Sequence, residues 1–387
     1  MITRLIWDGK ENMNIAIVGC GFVADYYLTS LKEHPELNLL GVMDKVQSRA
    51  ENFARFHDLS VYLSMDKLLD DSRIDIILNL TNPDAHYEVS RDCLLAGKHV
   101  YTEKPLAMRY ADALDLVELA ESKDLQISGA PCSLLGESAQ TLWKSLREKD
   151  IGDVYAVYAE MDDGLVHQMP YRKWFSASGI PWPAMDEFEV GCTLEHAGYV
   201  LGWLPAFFGP AISVTAFSSE QITDKETDEP LVKHAPDLSV ACVKFASGMV
   251  ARLTCSIIAE HDHALRVFGK DGILHVDDTW HYRSPVHIRR YIKIRRKMIV
   301  SPFKSKRLLS GSSPSRLLKR GSQSMDFCRG VGELVQAIQE NRQSRLSSRY
   351  SLHVTELALA IHNAGEQGGC YQVQSTFDPV EPMDWAK

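Results

Sequence analysis

A glycine-rich turn near the N-terminus has the spacing of a phosphate-binding loop. The pattern G-x-G-x-x-A occurs once there, as Gly19-Cys20-Gly21-Phe22-Val23-Ala24. A glycine at the first position permits the tight turn, and a glycine at the third lets the backbone approach a pyrophosphate. The alanine keeps the following helix close to the sheet, so that the free N–H groups at its positive end can receive a diphosphate.

An acidic residue lies where such a turn would need a ribose ligand. Asp44 ends the second predicted strand, downstream of the glycine turn. A carboxylate at this place accepts hydrogen bonds from the two ribose hydroxyls of NAD and repels the 2′-phosphate of NADP. Lys45 and Arg49 follow closely, and either could pair with a 2′-phosphate. The sequence therefore predicts NAD as the cofactor, with NADP as the alternative.

The elements around these residues alternate between strand and helix. Apolar, β-branched runs predict strands at 14–18, 37–44, 61–62, 74–81, 99–103 and 125–130, with helical spacing between most of them. This alternation predicts an α/β fold whose N-terminal part, residues 1–131, is a Rossmann domain with a doubly wound parallel sheet. Residues 1–12 are expected to be a disordered extension, with Met13 as the physiological start.

After residue 131 the rhythm changes to strands that follow one another directly. Strands are predicted at 154–161, 212–219, 239–246, 249–258, 263–268 and 273–277, and helices at 137–148 and about 193–205. Turn residues such as Ser247-Gly248 separate pairs of these strands, as in hairpins. Residues 132–387 are therefore expected to form an α+β domain with a mainly antiparallel sheet, for substrate binding and oligomerisation.

Composition excludes several classes of protein. The 387 residues carry a net charge of −9, which argues against a nucleic-acid binder. No apolar run approaches the roughly 20 residues that a membrane-spanning helix needs. The eight cysteines are scattered without a C-x-x-C pair, and they are expected to be reduced, mostly buried thiols of a cytoplasmic protein.

Two further segments carry a family resemblance. The segment Thr81-Asn82-Pro83-Asp84-Ala85-His86 follows the third strong strand, and the later segment Ala96–Leu106 contains Glu103-Lys104-Pro105. Together with the glycine turn, they resemble the Gfo/Idh/MocA family of oxidoreductases over residues 14–106. The resemblance implies that Thr81, Asn82, Pro83, His86, Glu103 and Lys104 line the cofactor site. It also implies a catalytic role for Lys104, whose ammonium would stabilise developing alkoxide charge, and often a cis bond before Pro105.

The second catalytic element of that family departs from the family's pattern here. The family has a helix with Asp-x-x-x-His after a glycine; in this chain Glu195 takes the Asp place and Tyr199 takes the His place, while His196 follows Glu195 directly. Glu195 and Tyr199, at i and i+4, share a helix face. In one assignment Tyr199 moves the proton with help from Lys104. In the other, His196 is the base, because its usual pKa suits neutral pH.

Three other segments have residue types that could bind a ligand. Arg172 and Trp174, on a Pro- and Trp-rich loop, suit a sugar ring or an acidic group. His261 and His263 project to one face of a strand, but no third ligand can be identified from the sequence, so no metal site is predicted. The basic stretch 283–320 could contact phosphates or an anionic membrane; a solvated arm or a hairpin at a subunit contact is favoured.

The expected reaction is hydride transfer between a nicotinamide and a secondary alcohol or ketone. The resemblance implies a sugar, a sugar derivative or a cyclitol as substrate, and a homo-oligomer formed through the exposed sheet face. Two alternatives remain open. The protein could be a regulator that binds NAD without turnover, or a glycosidase that recycles NAD. No nucleic-acid partner and no membrane span are expected.

Overall fold

The computed structural model describes residues 12–309 and 325–387, and its first sheet is wholly parallel. The sheet has the strand order β2-β1-β3-β4-β5. Its strands are β1 Met13–Val18, β2 Leu37–Met43, β3 Ile76–Asn79, β4 His99–Thr102 and β5 Ile127–Gly129. Apart from Asn12, the predicted extension over residues 1–12 lies outside the described residues. The predicted strand at 61–62 is reduced to one bridge between Val42 and Val61.

Helices cover both faces of this sheet, because its strands carry apolar side chains on both sides. The helices of the N-terminal part are α1 Phe22–Leu31, α2 Gln47–His57, α3 Met65–Leu69, α4 His86–Leu95 and α5 Tyr110–Ser122. One buried cluster joins the sheet to α1 and α2, and a second joins it to α4 and α5. The doubly wound parallel sheet is thereby confirmed.

The second sheet has ten strands and is mainly antiparallel, as predicted. The strand order is β13-β12-β11-β10-β6-β9-β8-β7-β15, with β14 paired to β12; only β6 and β9 run parallel. The strands are β6 Val154–Asp162, β7 Ala211–Ser219, β8 Leu238–Phe245, β9 Val250–Ser256, β10 Leu265–Gly269, β11 Gly272–Val276, β12 Val286–Ile294, β13 Lys297–Val300, β14 Ser305–Lys306 and β15 Cys370–Gln372.

One face of this sheet packs on helices and the other is open. The helices of the later part are α6 Glu137–Arg147, α7 Ala184–Val190, α8 Gly198–Leu201, α9 Leu204–Phe208, α10 Arg329–Gln339, α11 Ser348–His362 and α12 Ala364–Gln367. Along β8, Ala241 and Val243 are buried, whereas Val240, Cys242 and Lys244, which alternate with them, are exposed. This period of two is typical of a sheet that faces its core on one side only.

Helices α10 and α11 were not predicted, and they connect the two sheets. Val331 and Leu334 of α10 belong to the same buried cluster as α1, and Leu352 of α11 belongs to the cluster beneath α5. The chain thus returns to the Rossmann sheet before β15, the last strand of the second sheet, is added. The division of the chain at residue 131 stays a prediction.

The basic stretch forms an exposed hairpin of β12 and β13 as far as residue 309; residues 310–320 of it lie outside the described part. All eight cysteines are free thiols, six of them buried, as expected. Among the described residues, no helix is both long enough and apolar enough to cross a membrane.

Candidate active site

The glycine turn has the geometry of a cradle for a diphosphate. Gly19 has a φ of +101°, and a Cβ there would lie 2.5 Å from the carbonyl oxygen of Leu80, so only glycine fits. Gly21 has no atom within 4 Å of the place of its missing Cβ, and no side chain caps helix α1. Ala24 is fully buried against the sheet. The amides after Gly21 therefore face open space, which suits the close approach of a diphosphate.

Asp44 is held beside this turn by backbone amides. Its carboxylate accepts hydrogen bonds from the N–H groups of Cys20, at 2.9 Å, and Val46, at 2.8 Å. The Arg49 guanidinium lies 3.6 Å from the same carboxylate. Arg49 lines the cavity described below, whereas neither Asp44 nor the exposed Lys45 is among its described lining residues. A negative and a positive group thus lie together where a ribose would bind.

Asp44 favours NAD as the cofactor, whereas Arg49 favours NADP. We expect Asp44→Asn to weaken NAD⁺ binding and to shift the ratio of NAD⁺ to NADP⁺ affinities about tenfold toward NADP⁺, because a repulsive charge worth about 1.4 kcal/mol is removed. Titration calorimetry with both dinucleotides measures the ratio. Arg49→Gln is the opposite change, and it should weaken NADP⁺ binding more than NAD⁺ binding. A ratio unchanged in Asp44→Asn would show that Asp44 does not discriminate.

A cavity of about 990 Å³ runs from the glycine turn to the second sheet. Gly21, Phe22 and Val23 line one end, and the carboxyl ends of β3 and β4 contribute the next part of the wall. The residues contributed there are Thr81, Asn82, Pro83, His86, Glu103 and Lys104. The other end is lined by Glu187, Glu195, His196, Tyr199 and Trp280. The structure therefore brings most of the residues predicted from the three motifs to one cavity.

Lys104 lies between the two parts of the molecule and contacts Glu195. The peptide bond to Pro105 is cis, and the ammonium donates a hydrogen bond to Oε2 of Glu195. Burial alone lowers the pKa of Lys104, but the carboxylates of Glu195 and Glu103 outweigh it, so that its pKa lies above the ordinary value. Lys104 is therefore a cation at neutral pH, able to polarise a carbonyl or to stabilise an alkoxide.

Two neighbours hold the segment that carries Lys104. Glu103 accepts a hydrogen bond of 2.7 Å from the hydroxyl of Tyr27, on helix α1. His86 is fully buried, and its two ring nitrogens lie 2.9 Å from the carbonyl oxygen of Thr81 and 2.7 Å from that of Pro105. His86 thus connects the turn after β3 with the turn after β4, which positions Lys104.

His196 lies between two carboxylates. Its Nε2 is 2.6 Å from Oε1 of Glu187, and its Nδ1 is 2.9 Å from Oδ2 of Asp163. Burial lowers the pKa of His196, but these two carboxylates outweigh it and raise the pKa well above its ordinary value. Glu187 and Asp163 were missed in the sequence, although Asp163 follows the predicted strand 154–161 directly, as ligand-binding acids often do at strand ends.

Tyr199 lines the cavity beside Trp280, with ring centroids 4.9 Å apart. Its hydroxyl makes no hydrogen bond to any residue in the described part of the chain. Burial, together with the carboxylates of Glu103 and Glu195, raises the pKa of Tyr199 well above its ordinary value, so the phenol keeps its proton at neutral pH. Trp280 is a further wall residue that the sequence did not reveal.

Residues 193–205 do not form the single regular helix that was predicted. Residues Thr193–Ala197 make a π-helical turn, α8 covers only four residues, and α9 begins at Leu204. Gly198 and Gly202 lower the helix propensity, and Pro205 removes a donor. Such single π-turns occur often at functional sites. Here the turn still places Glu195, His196 and Tyr199 on the cavity wall.

The loop 173–183 forms the wall over helix α1. Trp174, Phe175 and Trp182 line the cavity. Ser178 attaches the loop to helix α1 through hydrogen bonds. The Ser178 hydroxyl and amide donate hydrogen bonds of 2.6 and 3.2 Å to Oδ2 of Asp25, which lies on α1 and is almost fully buried. Trp174 thus lies on the cavity wall, and its contact with a substrate stays a prediction.

Arg172 does not reach the cavity, contrary to the role predicted for it. Its guanidinium is half-exposed and lies 2.9 Å from Oδ1 of Asp228, on the outer side of the loop. The side chain was predicted from its place beside Trp174, but neighbouring residues in an irregular segment point in different directions.

Comparison with known proteins gives matches over both parts of the chain. Residues 13–130 match the model of the oxidoreductase family with an NAD-binding Rossmann fold, and residues 139–275 match the GFO/IDH/MocA C-terminal domain. An uncharacterized oxidoreductase of Schizosaccharomyces pombe is 35% identical over 220 residues, which are 55% of this chain and 57% of that protein. Trans-1,2-dihydrobenzene-1,2-diol dehydrogenase of Bos taurus is 25% identical over 272 residues, 68% of this chain and 74% of that enzyme.

Solved structures share the whole fold. The WlbA dehydrogenase of Bordetella pertussis, solved in complex with NADH and UDP-GlcNAcA, superposes with a TM-score of 0.70. The superposition covers 94% of this chain and 99% of that one, at 15% sequence identity. At this identity, the likeness shows a common arrangement of the two sheets.

Proposed function

The chain belongs to the Gfo/Idh/MocA family of NAD-binding oxidoreductases, and we propose that it catalyses reversible hydride transfer between a nicotinamide and a secondary alcohol or ketone. The observation that carries the proposal is the position of Lys104. A permanently cationic side chain lies in the same cavity as an open diphosphate cradle. Charge stabilisation is what an oxygen needs when the carbon beside it gains or loses a hydride.

The residues present fit a nicotinamide dinucleotide. Gly21, Phe22 and Val23 would hold the diphosphate, Asp44 and Arg49 the adenosine ribose, and Thr81, Asn82 and Pro83 the part nearer to Lys104. When bound, the dinucleotide supplies or accepts the hydride. NAD is the favoured form, because two backbone amides fix the carboxylate of Asp44 beside the place of the ribose.

The substrate class follows from the other end of the cavity. Carboxylates, a phenol and indole rings meet there, and such a set binds hydroxyl groups through the acids and sugar rings through the aromatic faces. A sugar, a sugar derivative or a cyclitol fits this description. The diol named for the Bos taurus relative and the nucleotide sugar in the Bordetella pertussis complex are likewise molecules with neighbouring hydroxyl groups.

For the proton we favour Tyr199 over His196. Nε2 of His196 lies 2.6 Å from Glu187, and Nδ1 lies 2.9 Å from Asp163 without an aligned hydrogen bond, so each ring nitrogen already faces a carboxylate. The hydroxyl of Tyr199 is uncommitted, and Lys104 shares the same cavity wall through Glu195. Tyr199, which keeps its proton at neutral pH, would therefore donate that proton to the new alkoxide, while Lys104 stabilises the oxygen.

This assignment predicts a difference between two conservative variants. Tyr199→Phe should lower kcat by about 10²- to 10³-fold with little change in KM, because it removes only the proton donor. His196→Gln should act mainly through KM and thermal stability. Single-turnover measurements of absorbance at 340 nm separate the two effects. Equal kcat in Tyr199→Phe and in the unchanged protein would return the role to His196.

The reaction itself is tested by following absorbance at 340 nm together with product release. A panel of sugars, nucleotide sugars and cyclitols is supplied with NAD⁺, and the corresponding ketones with NADH. Stoichiometric NADH formation with one of them supports the proposal. Dinucleotide binding without turnover would identify a regulator instead, and sugar release without net NADH would identify a glycosidase.

We further propose that the chain self-associates through the open face of the second sheet. Tyr158, Phe217 and Val240 are exposed on the strands of this sheet. Exposed aromatic and β-branched side chains on a sheet favour burial against another surface.

A further inference from the structure

Two segments of the second sheet bring three residues of metal-binding types together. Asp162, at the end of β6, pairs antiparallel with Asp262, in the connection between β9 and β10. Because side chains alternate along paired strands, Asp163 and its neighbours across the pair, His261 and His263, then lie on one face. The histidine pair seen in the sequence thereby gains the third ligand that it lacked, from a residue about a hundred positions earlier.

The ligand atoms of these residues converge. One atom from each of Asp163, His261 and His263 lies within 4.8 Å of the others. Oδ1 of Asp163 is 2.8 Å from Nε2 of His263 and 3.8 Å from Nδ1 of His261. With zinc–ligand bonds of about 2.1 Å, these separations correspond to angles of roughly 85° and 130° at a shared ion. One cation can therefore bridge Asp163 to either histidine, and a small rotation of the exposed His261 side chain lets it reach all three atoms.

His263 has the surroundings of a metal ligand. Its side chain is 1% exposed, yet Nε2 makes no aligned hydrogen bond to any described residue, although the carboxylate of Asp163 is close. Nδ1, on the opposite side of the ring, lies 3.7 Å from Oδ1 of Asp278. At this distance the Asp278 carboxylate attracts a proton on Nδ1 without a direct hydrogen bond, which favours the tautomer that leaves Nε2 free to coordinate. A buried nitrogen without an aligned partner normally has a ligand.

We propose that Asp163, His261 and His263 bind one divalent transition-metal ion of the zinc class. Two imidazole nitrogens with one carboxylate suit such an ion, whereas Ca²⁺ and Mg²⁺ prefer oxygen ligands alone. His261 is 60% exposed and provides the side open to solvent, by which the ion enters and at which water completes its coordination.

The ion would position the cavity wall and would not touch the reacting atoms. The second oxygen of Asp163 lies 2.9 Å from His196, and the ring of His263 packs on Trp280 with centroids 4.6 Å apart. His196 and Trp280 both line the cavity. Fixing Asp163 and His263 on an ion therefore fixes two side chains of the substrate end, and the proposal does not depend on which reaction occurs there.

The test is metal binding by the full-length, tag-free chain. Chelator-treated protein is titrated with Zn²⁺ by calorimetry, bound metal is counted by mass spectrometry, and Co²⁺ is added to record visible ligand-field absorption. We expect about one Zn²⁺ per chain, a melting temperature raised by Zn²⁺, and Co²⁺ bands that indicate nitrogen ligands. His261→Ala should weaken binding about 50-fold or more.

His234→Ala is the matched control. His234 is also 60% exposed beside a carboxylate, that of Glu220, but it lies outside the cluster. The His234→Ala variant should bind Zn²⁺ with the same affinity as the unchanged protein. The exposed position of His261 makes misfolding of its alanine variant improbable, and circular dichroism verifies this. Absence of stoichiometric Zn²⁺ in the unchanged protein, or equal affinity in His261→Ala, overturns the proposal.

Discussion

We expect Lys104→Met to lower kcat by about 10³-fold and to leave the dissociation constant for NAD⁺ within about threefold of its normal value. This is the largest effect expected on the reaction. The ammonium contacts Glu195, and it is not needed to hold the diphosphate, which lies at the opposite end of the cavity. Loss of one preorganised charge at a developing alkoxide costs about 3–4 kcal/mol in the transition state. Steady-state kinetics and titration calorimetry measure the two quantities.

Two controls separate chemistry from folding in this experiment. Lys173→Met makes the same change in an exposed lysine that lines the same cavity, and it should keep kcat. Removing Lys104 leaves the carboxylate of Glu195 without its partner, so the double change with Glu195→Gln restores charge balance. If the double variant melts normally but turns over as fast as the unchanged protein, Lys104 has no catalytic role.

The second large effect is expected from alanine substitutions at the two glycines of the phosphate turn. One substitution should lower the stability of the fold, and the other should weaken cofactor binding. Gly19→Ala places a Cβ 2.5 Å from the carbonyl oxygen of Leu80 at a φ of +101°, so the turn must move. We expect a loss of about 3 kcal/mol or more in the free energy of unfolding, and a melting temperature lower by about 6–12 °C. Thermal unfolding followed by circular dichroism measures it.

Gly21→Ala has open space around the added methyl group and should melt like the unchanged protein. Its methyl group occupies the side from which a diphosphate approaches, so the dissociation constant for NAD⁺ should rise about tenfold or more. A stable Gly21→Ala that binds NAD⁺ normally would mean that the dinucleotide lies elsewhere, and both the cofactor site and the proposed reaction would fall with it.

Local patterns were sufficient to predict the Rossmann sheet. Gly19, Gly21 and Ala24 act through the backbone of one turn, and the strands on either side are short apolar runs with β-branched residues. The succession of strands after residue 150 was likewise predicted from the alternation of apolar and polar residues and from the turn residues between the strands. Such features depend on neighbours within about ten residues, which the sequence shows directly.

Residues that act through distant partners could not be predicted. Asp163 meets His263 and His196 only because β6 and β10 lie side by side, and Trp280 reaches the cavity from a connection after β11. Helices α10 and α11 were not recognised because their role is to return to a sheet formed at the other end of the chain. The π-turn at Thr193–Ala197 obeys no apolar period that a sequence pattern displays.

The fastening of loop 173–183 to helix α1 bears on the order of events in a catalytic cycle. Hydrogen bonds to a buried charged acceptor contribute about 1.5–3 kcal/mol each, and Asp25 accepts two from Ser178. Widening the cavity on that side requires both to break, so a nucleotide bound beneath the loop would dissociate slowly. Small polyols would then exchange many times for each departure of the nucleotide.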